Sequence, residues 1–150
     1  MAEEAGPKAP SGHLWEDTPV PFKEALDGIL GFQVLSLTNE SARGRVVVTD
    51  RVRQIWGLVH GGAYMALAEM LASEATIASV HDDGMIAVGL SNHTSFLRPV
   101  DSGAIHAEAR RLHGGESTWL WEVYFKDDDD KLCAVSRITL AVRPSPGDAE

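Results

Sequence analysis

The chain has 150 residues, 44% of them hydrophobic and one of them cysteine, with 22 acidic against 13 basic side chains and a formal charge of −9. These figures fit one globular domain with a single core, exclude an internal disulfide and agree with a reducing, cytoplasmic setting. An acidic chain without a Lys/Arg-rich run offers little to nucleic acid, and Glu69 and Glu74 interrupt the longest apolar run short of membrane-spanning length.

Residues 1–17 are polar, with Pro, Gly and two early glutamates, and lack the basic start and apolar centre of a signal peptide. They read as a disordered N-terminal arm. Residues 20–30 read as a short helix, with Phe22, Ala25, Leu26 and Ile29 on one face and Gly31 as its stop. Two strands follow, 32–37 and 42–49, separated by the turn-forming Thr38-Asn39-Glu40-Ser41. Residues 50–59 form a connecting loop that contains Gln54, Trp56 and Gly57. The long helix spans 62–81, and its alanines at 63, 66, 68, 72, 75 and 78 leave so little bulk that a sheet can wrap closely around it.

Asp82-Asp83-Gly84 ends that helix, and four strand-like runs follow at 85–97, 104–112, 118–125 and 132–142. Trp119, Trp121, Val123 and Phe125 share one face by period 2; Leu132, Ala134, Ile138, Leu140 and Val142 do the same. The breaks between these runs are short, so successive strands are expected to be antiparallel. The acidic stretch from Lys126 to Lys131 falls where a turn is required and reads as a solvated native turn. The result is a single domain over 18–143 with a flexible tail at 144–150. Its class is α+β: an antiparallel sheet curled around one long central helix, the hotdog arrangement. A cystatin-like helix-on-sheet fold is the second solution.

The densest chemistry lies at Val59-His60-Gly61-Gly62, directly before the long helix, with Glu69 and Ser73 further along it. A helix start offers unpaired N–H groups and a positive dipole end, which suit a carbonyl oxygen gaining negative charge. A carboxylate two turns on suits attack on that carbonyl, or activation of water against it. Glu69 and Ser73 are four positions apart and share a helix face. No histidine pair has metal-ligand spacing and Cys133 has no cysteine partner, so neither a metal nor another cofactor is expected.

The run from Gln54 to Glu74, together with Val88-Gly89-Leu90-Ser91-Asn92-His93-Thr94-Ser95-Phe96-Leu97-Arg98-Pro99, closely resembles the hotdog-fold acyl-CoA thioesterases. Within them it is most similar to the 4-hydroxybenzoyl-CoA thioesterase branch, whose catalytic carboxylate is a mid-helix glutamate. The resemblance covers most of the chain, roughly residues 22–143. It implies Glu69 as nucleophile or general base, and Gly61 as the residue whose N–H polarises the thioester carbonyl. His60 would flank that position, Gln54 would contact the thioester from the facing subunit, and Ser73 would stand near the attacking water. Glu74 becomes a second acidic residue at the site. Arg98, Ser117 and Arg143 become contacts to the nucleotide phosphates of coenzyme A, which is part of the substrate. Glu116 stands where that branch has a serine, and the chain after Arg143 is not basic. The resemblance also implies a homodimer that completes the active site, and a homotetramer built from it.

Architecture alone offers quieter readings. Glu69 would be a solvated helix residue, His60 and Gly61 a plain helix-entry turn, and Trp119 and Trp121 core packing. Two other functions use the same fold: a hydratase pairing His60 with Glu69, and a non-catalytic acyl-CoA sensor.

Overall fold

Helix α2 (Gly61–Val80) organises the molecule. Ten of its twenty residues are buried, from Ala63 and Tyr64 to Thr76 and Val80, and they cover most of its circumference. Four of the ten are alanines, so the surrounding strands approach closely while Leu67 and Leu71, both fully buried, supply the bulk. Burial of each leucine is worth about 2–3 kcal/mol. The computed structural model describes residues 18–147; the expected arm at 1–17 and the last three residues of the expected tail lie outside the described residues.

Six strands wrap this helix: β1 (Phe32–Leu37), β2 (Ser41–Val47), β3 (Met85–Phe96), β4 (Ala104–Gly114), β5 (Thr118–Lys126) and β6 (Leu132–Pro144). They form one antiparallel sheet in the order β1-β2-β4-β5-β6-β3, the expected hotdog arrangement. The period-2 pattern of β5 is met in full, with Trp119, Trp121, Val123 and Phe125 all buried, Trp121 and Phe125 meeting Thr76 and Tyr64 of α2. Gly44 in β2 lets the sheet close on the helix, since a methyl group there would meet Leu71 Cδ2 and the Gln33 carbonyl oxygen, each at 2.9 Å. At the centre, the Trp121 indole N–H donates to Thr76 Oγ1 at 2.9 Å, and that hydroxyl donates to the Ala72 carbonyl at 2.7 Å. Both side chains are wholly buried, so the pair pins helix to sheet.

Three expectations are corrected. The helix expected at 20–30 is a 3₁₀ turn (Phe22–Glu24) followed by the single turn α1 (Leu26–Ile29). Ala25, extended at φ −76° and ψ 161°, separates them, so no continuous face forms, and Leu26 and Ile29 remain 61% and 49% exposed. Secondly, β3 and β4 run antiparallel as expected, but the short break between them does not make them neighbours. The chain between them ties down elsewhere, with Leu97 N–H bonded to the Cys133 carbonyl and Val59 N–H to that of Val100. This leaves β3 at the free edge beside β6. Thirdly, Leu132 is exposed, because the ladder skips Cys133 between Phe125↔Ala134 and Lys126↔Leu132 and throws Leu132 out of phase.

Candidate active site

His60 is the N-cap of α2. Its Nδ1 accepts from Gly62 N–H at 2.7 Å and its carbonyl accepts from Ala63 N–H at 2.9 Å. An accepting Nδ1 carries no proton, so in the neutral ring the hydrogen is on Nε2, free to donate to a ligand. The cap consumes the Gly62 donor and leaves Gly61 N–H with no acceptor among the described residues. That free donor opens on a groove lined by Gln54, Gly61, Tyr64, Phe96, Leu97 and Arg98. The Phe96 ring lies so close over Gly61 that a methyl there would meet its Cζ at 2.8 Å, which ties the glycine to this position. Gln54 is half-buried; its Oε1 accepts from Trp56 N–H, and its own N–H donates to the Leu58 carbonyl at 2.7 Å.

Glu69 lies two turns further along α2 and is exposed, although its helical neighbours Ala68 and Met70 are buried. It opens into a second cavity, shared with Gly89, Leu90, Ser91 and Asn92 of β3 and Ile138 of β6. Ser73 is half-buried one turn later. The β3 ladder is irregular here: Gly89 pairs with Leu140 and Ser91 with Thr139, leaving Leu90 as an extra residue that is 58% exposed.

Glu74 lines a third cavity with Asp27, Phe22 and Met70. Asp27 was not singled out in the sequence. Burial, followed by the charges of Glu74 and Glu69, lifts its carboxyl from 3.8 to about 6. The available signal was an acidic residue interrupting the apolar spacing of residues 20–30. Tyr64 shows the same effect of burial, its phenol being pushed up to about 12, and its hydroxyl is buried with no hydrogen-bond partner among the described residues.

The expected residues thus gather in part. Gln54, His60, Gly61 and Arg98 converge at the start of α2, whereas Glu69 belongs to a different cavity of the same protomer. Ser117 and Arg143 are exposed at one end of the β5–β6 pair, where Val142 N–H bonds the Ser117 carbonyl at 2.9 Å. Arg98 sits at the other end, its N–H bonded to the Cys133 carbonyl at 3.1 Å. Cys133 and Arg143 are ten positions apart on β6, about 33 Å for an extended strand. The chain by itself therefore does not bring together the three residues expected at the phosphates.

The model of the Thioesterase superfamily matches residues 57–134, which span the α2 cap, Glu69 and β3. The esterase PA1618 of Pseudomonas aeruginosa is 34% identical over 142 residues, covering 91% of this chain and 98% of that protein. Its structure, solved for a mutant and described as a thioesterase, aligns with a TM-score of 0.78 at 33% identity, covering 88% of this chain and 99% of that one. The 1,4-dihydroxy-2-naphthoyl-CoA hydrolase of Listeria monocytogenes is 33% identical over 118 residues, covering 79% of this chain and 95% of that protein. The thioesterase SAV0944 of Staphylococcus aureus, solved with a glutamine replaced by alanine, aligns with a TM-score of 0.76 at 28% identity, covering 79% of this chain and 98% of that one. A second SAV0944 structure has a glutamate replaced by alanine, and the two replaced residues are fifteen positions apart, the separation of Gln54 and Glu69 here. A free helix-start N–H and a helical carboxylate on a sheet curled around that helix thus coincide with the sequence match: the chain is a thioester hydrolase and belongs to the hotdog-fold Thioesterase superfamily.

Proposed function

We propose that the protein hydrolyses a hydroxylated aromatic acyl-CoA thioester, 4-hydroxybenzoyl-CoA being the first candidate, at a site shared between two protomers. The observation that carries this reading is the separation of Gly61 from Glu69. They are eight positions apart on one helix, about 12 Å of rise, and they open into different cavities. A two-fold partner places the start of one α2 opposite the Glu69 of the other, so that one thioester carbonyl meets both.

In that arrangement Gly61 N–H holds the carbonyl oxygen, with the α2 dipole behind it, and stabilises the negative charge that develops there. Glu69 attacks the carbonyl carbon, the C–S bond breaks, and coenzyme A leaves as the thiolate; water then cleaves the mixed anhydride and restores the carboxylate. In the alternative course Glu69 takes a proton from water, which attacks the same carbon directly. Ser73 orients that water, His60 Nε2–H and Gln54 contact the thioester, and the nucleotide phosphates meet Arg98 of one protomer and Ser117 with Arg143 of the other. No cofactor takes part in either course.

Two points support an aromatic hydroxyl on the acyl group. A carboxyl lifted to about 6 at Asp27, which lines a cavity with Glu74, can accept a hydrogen bond from a phenol or donate one to it. The Listeria relative acts on a dihydroxylated aryl-CoA, so a bicyclic naphthoyl ester is the second candidate. A homotetramer of such dimers, and a cytoplasmic setting, complete the reading.

Thiol release from a panel of aryl- and alkyl-CoA esters tests it, with wild type and Glu69→Gln side by side. We expect hydrolysis of hydroxylated aryl esters, falling at least 10³-fold in Glu69→Gln with fold and substrate affinity retained. Activity confined to alkyl esters would overturn the aromatic assignment. Binding without release from any ester would favour the sensor.

A further inference from the structure

Gly89 is the β3 residue that meets Glu69. A methyl group built on Gly89 would stand 3.3 Å from Glu69 Oε1 and 3.8 Å from its Cδ; the one other nearby atom is Leu140 Cδ2, at 4.0 Å. The first distance is closer than side chains normally tolerate, whereas the last is ordinary van der Waals contact. The Gly89 backbone is not in the left-handed region, so its conformation does not by itself require glycine. In a strand, glycine also forfeits β propensity and packing. What the missing side chain provides here is space for the carboxylate.

A second contact limits how that space could be regained. Asn92, three residues along β3, donates its side-chain N–H to the Met65 carbonyl at 2.9 Å, and its Oδ1 accepts from Thr94 Oγ1 at 3.0 Å. Thr94 in turn bonds Ser136 Oγ of β6 at 2.7 Å. Met65 lies one turn before Glu69, so this chain of bonds ties the helix turn carrying the carboxylate to β3 and onward to β6. The helix cannot draw back from the strand without breaking it. An added methyl at position 89 therefore displaces the carboxylate and not the helix.

Building on the role proposed for Glu69, we propose that Gly89 is a positioning residue of the hydrolysis: its bare Cα is the seat of the Glu69 carboxylate. The step it governs is formation of the bond from Glu69, or from the water it activates, to the carbonyl carbon. A methyl at 3.3 Å asks the carboxylate to give by a few tenths of an ångström; since a shift of about 1 Å in a reacting group costs on the order of 10²-fold in rate, this smaller one costs roughly threefold to tenfold.

The test is Gly89→Ala, with Gly89→Val as the larger step and Glu69→Gln as reference. We expect the thermal midpoint of Gly89→Ala to stay within a few degrees of wild type, kcat to fall roughly threefold to tenfold with KM within about twofold, and Gly89→Val to fall further. A carboxyl-carbon NMR signal, assigned to Glu69 by its loss in Glu69→Gln, should move in Gly89→Ala while signals remote from β3 stay in place. That readout needs no substrate. A wild type that hydrolyses no ester tells against the proposed function, and the signal alone then decides the seat. An unmoved signal, or a Gly89→Ala kcat within twofold of an active wild type, overturns the proposal.

Discussion

Asp27 illustrates how much of a site is hidden at the level of a single residue. It is one acidic side chain on a one-turn helix, and only the packing of α1 beside Met70 and Glu74 gives it a raised proton affinity, from 3.8 to about 6. Between those two pH values the folded chain retains a proton that the unfolded chain has released. Its contribution is therefore present in full below pH 3.8, falls as pH rises through the window, and is lost above about 6. Discounted for partial exposure, the loss is about 1–2 kcal/mol. Asp27→Asn should match wild type in urea denaturation near pH 4 and exceed it by that amount at pH 7. A gap that stays constant across the range would show that the Asp27 carboxyl does not titrate in this way. His60, Gly61 and Glu69 were legible because a helix-start turn and a helical carboxylate are local patterns. Asp27 and Gly89 were not, because their surroundings are assembled from segments distant in sequence.

At the level of elements, the chain announced its strands more faithfully than its first helix. Alternation over β5 and the alanine density of α2 follow from burial against a neighbour of fixed geometry, and both survived intact. Residues 20–30 had helical spacing, but a single extended residue at Ala25 broke the period, and no local rule foretold it. The position of β3 at the sheet edge is likewise a matter of pairing partners and not of strand propensity. What holds the central elements together can be tested at Thr76. Thr76→Val keeps the volume and the apolar contacts but leaves the buried Trp121 indole N–H, now bonded at 2.9 Å, without its acceptor. An unpaired buried donor costs about 1–3 kcal/mol. We expect Thr76→Val to lose that much stability in urea denaturation, and Trp121→Phe in the same background to add less than it does alone. Strict additivity of the two changes would mean that the indole–hydroxyl bond does not couple helix to sheet.

On the scale of the whole molecule, the protomer ends in a surface unsuited to water. Val88, Leu90, Phe96 and Leu97 on and after the edge strand are 48%, 58%, 54% and 58% exposed, and Ile55 and Trp56 beside Gln54 reach 93% and 84%. An exposed edge bearing apolar side chains invites pairing with another chain. The same edge borders the Glu69 cavity, and the exposed loop borders the Gly61 groove, so the face that needs covering is also the one where the groups proposed for catalysis lie apart. Isologous pairing across β3 would answer both needs at once, burying the apolar edge and juxtaposing Gly61 of one copy with Glu69 of the other. The formal charge of −9 sharpens the point. Two such chains repel at long range, and a polyanionic nucleotide gains nothing from the overall field, so either association would depend on local contacts. Val88→Glu places a further negative charge on this edge without replacing any residue assigned to the reaction. It should sediment as a 16.2 kDa monomer, retain the protomer fold by circular dichroism, and lose at least 10²-fold in thioester hydrolysis. A folded Val88→Glu monomer with wild-type kcat would place the complete site within one chain.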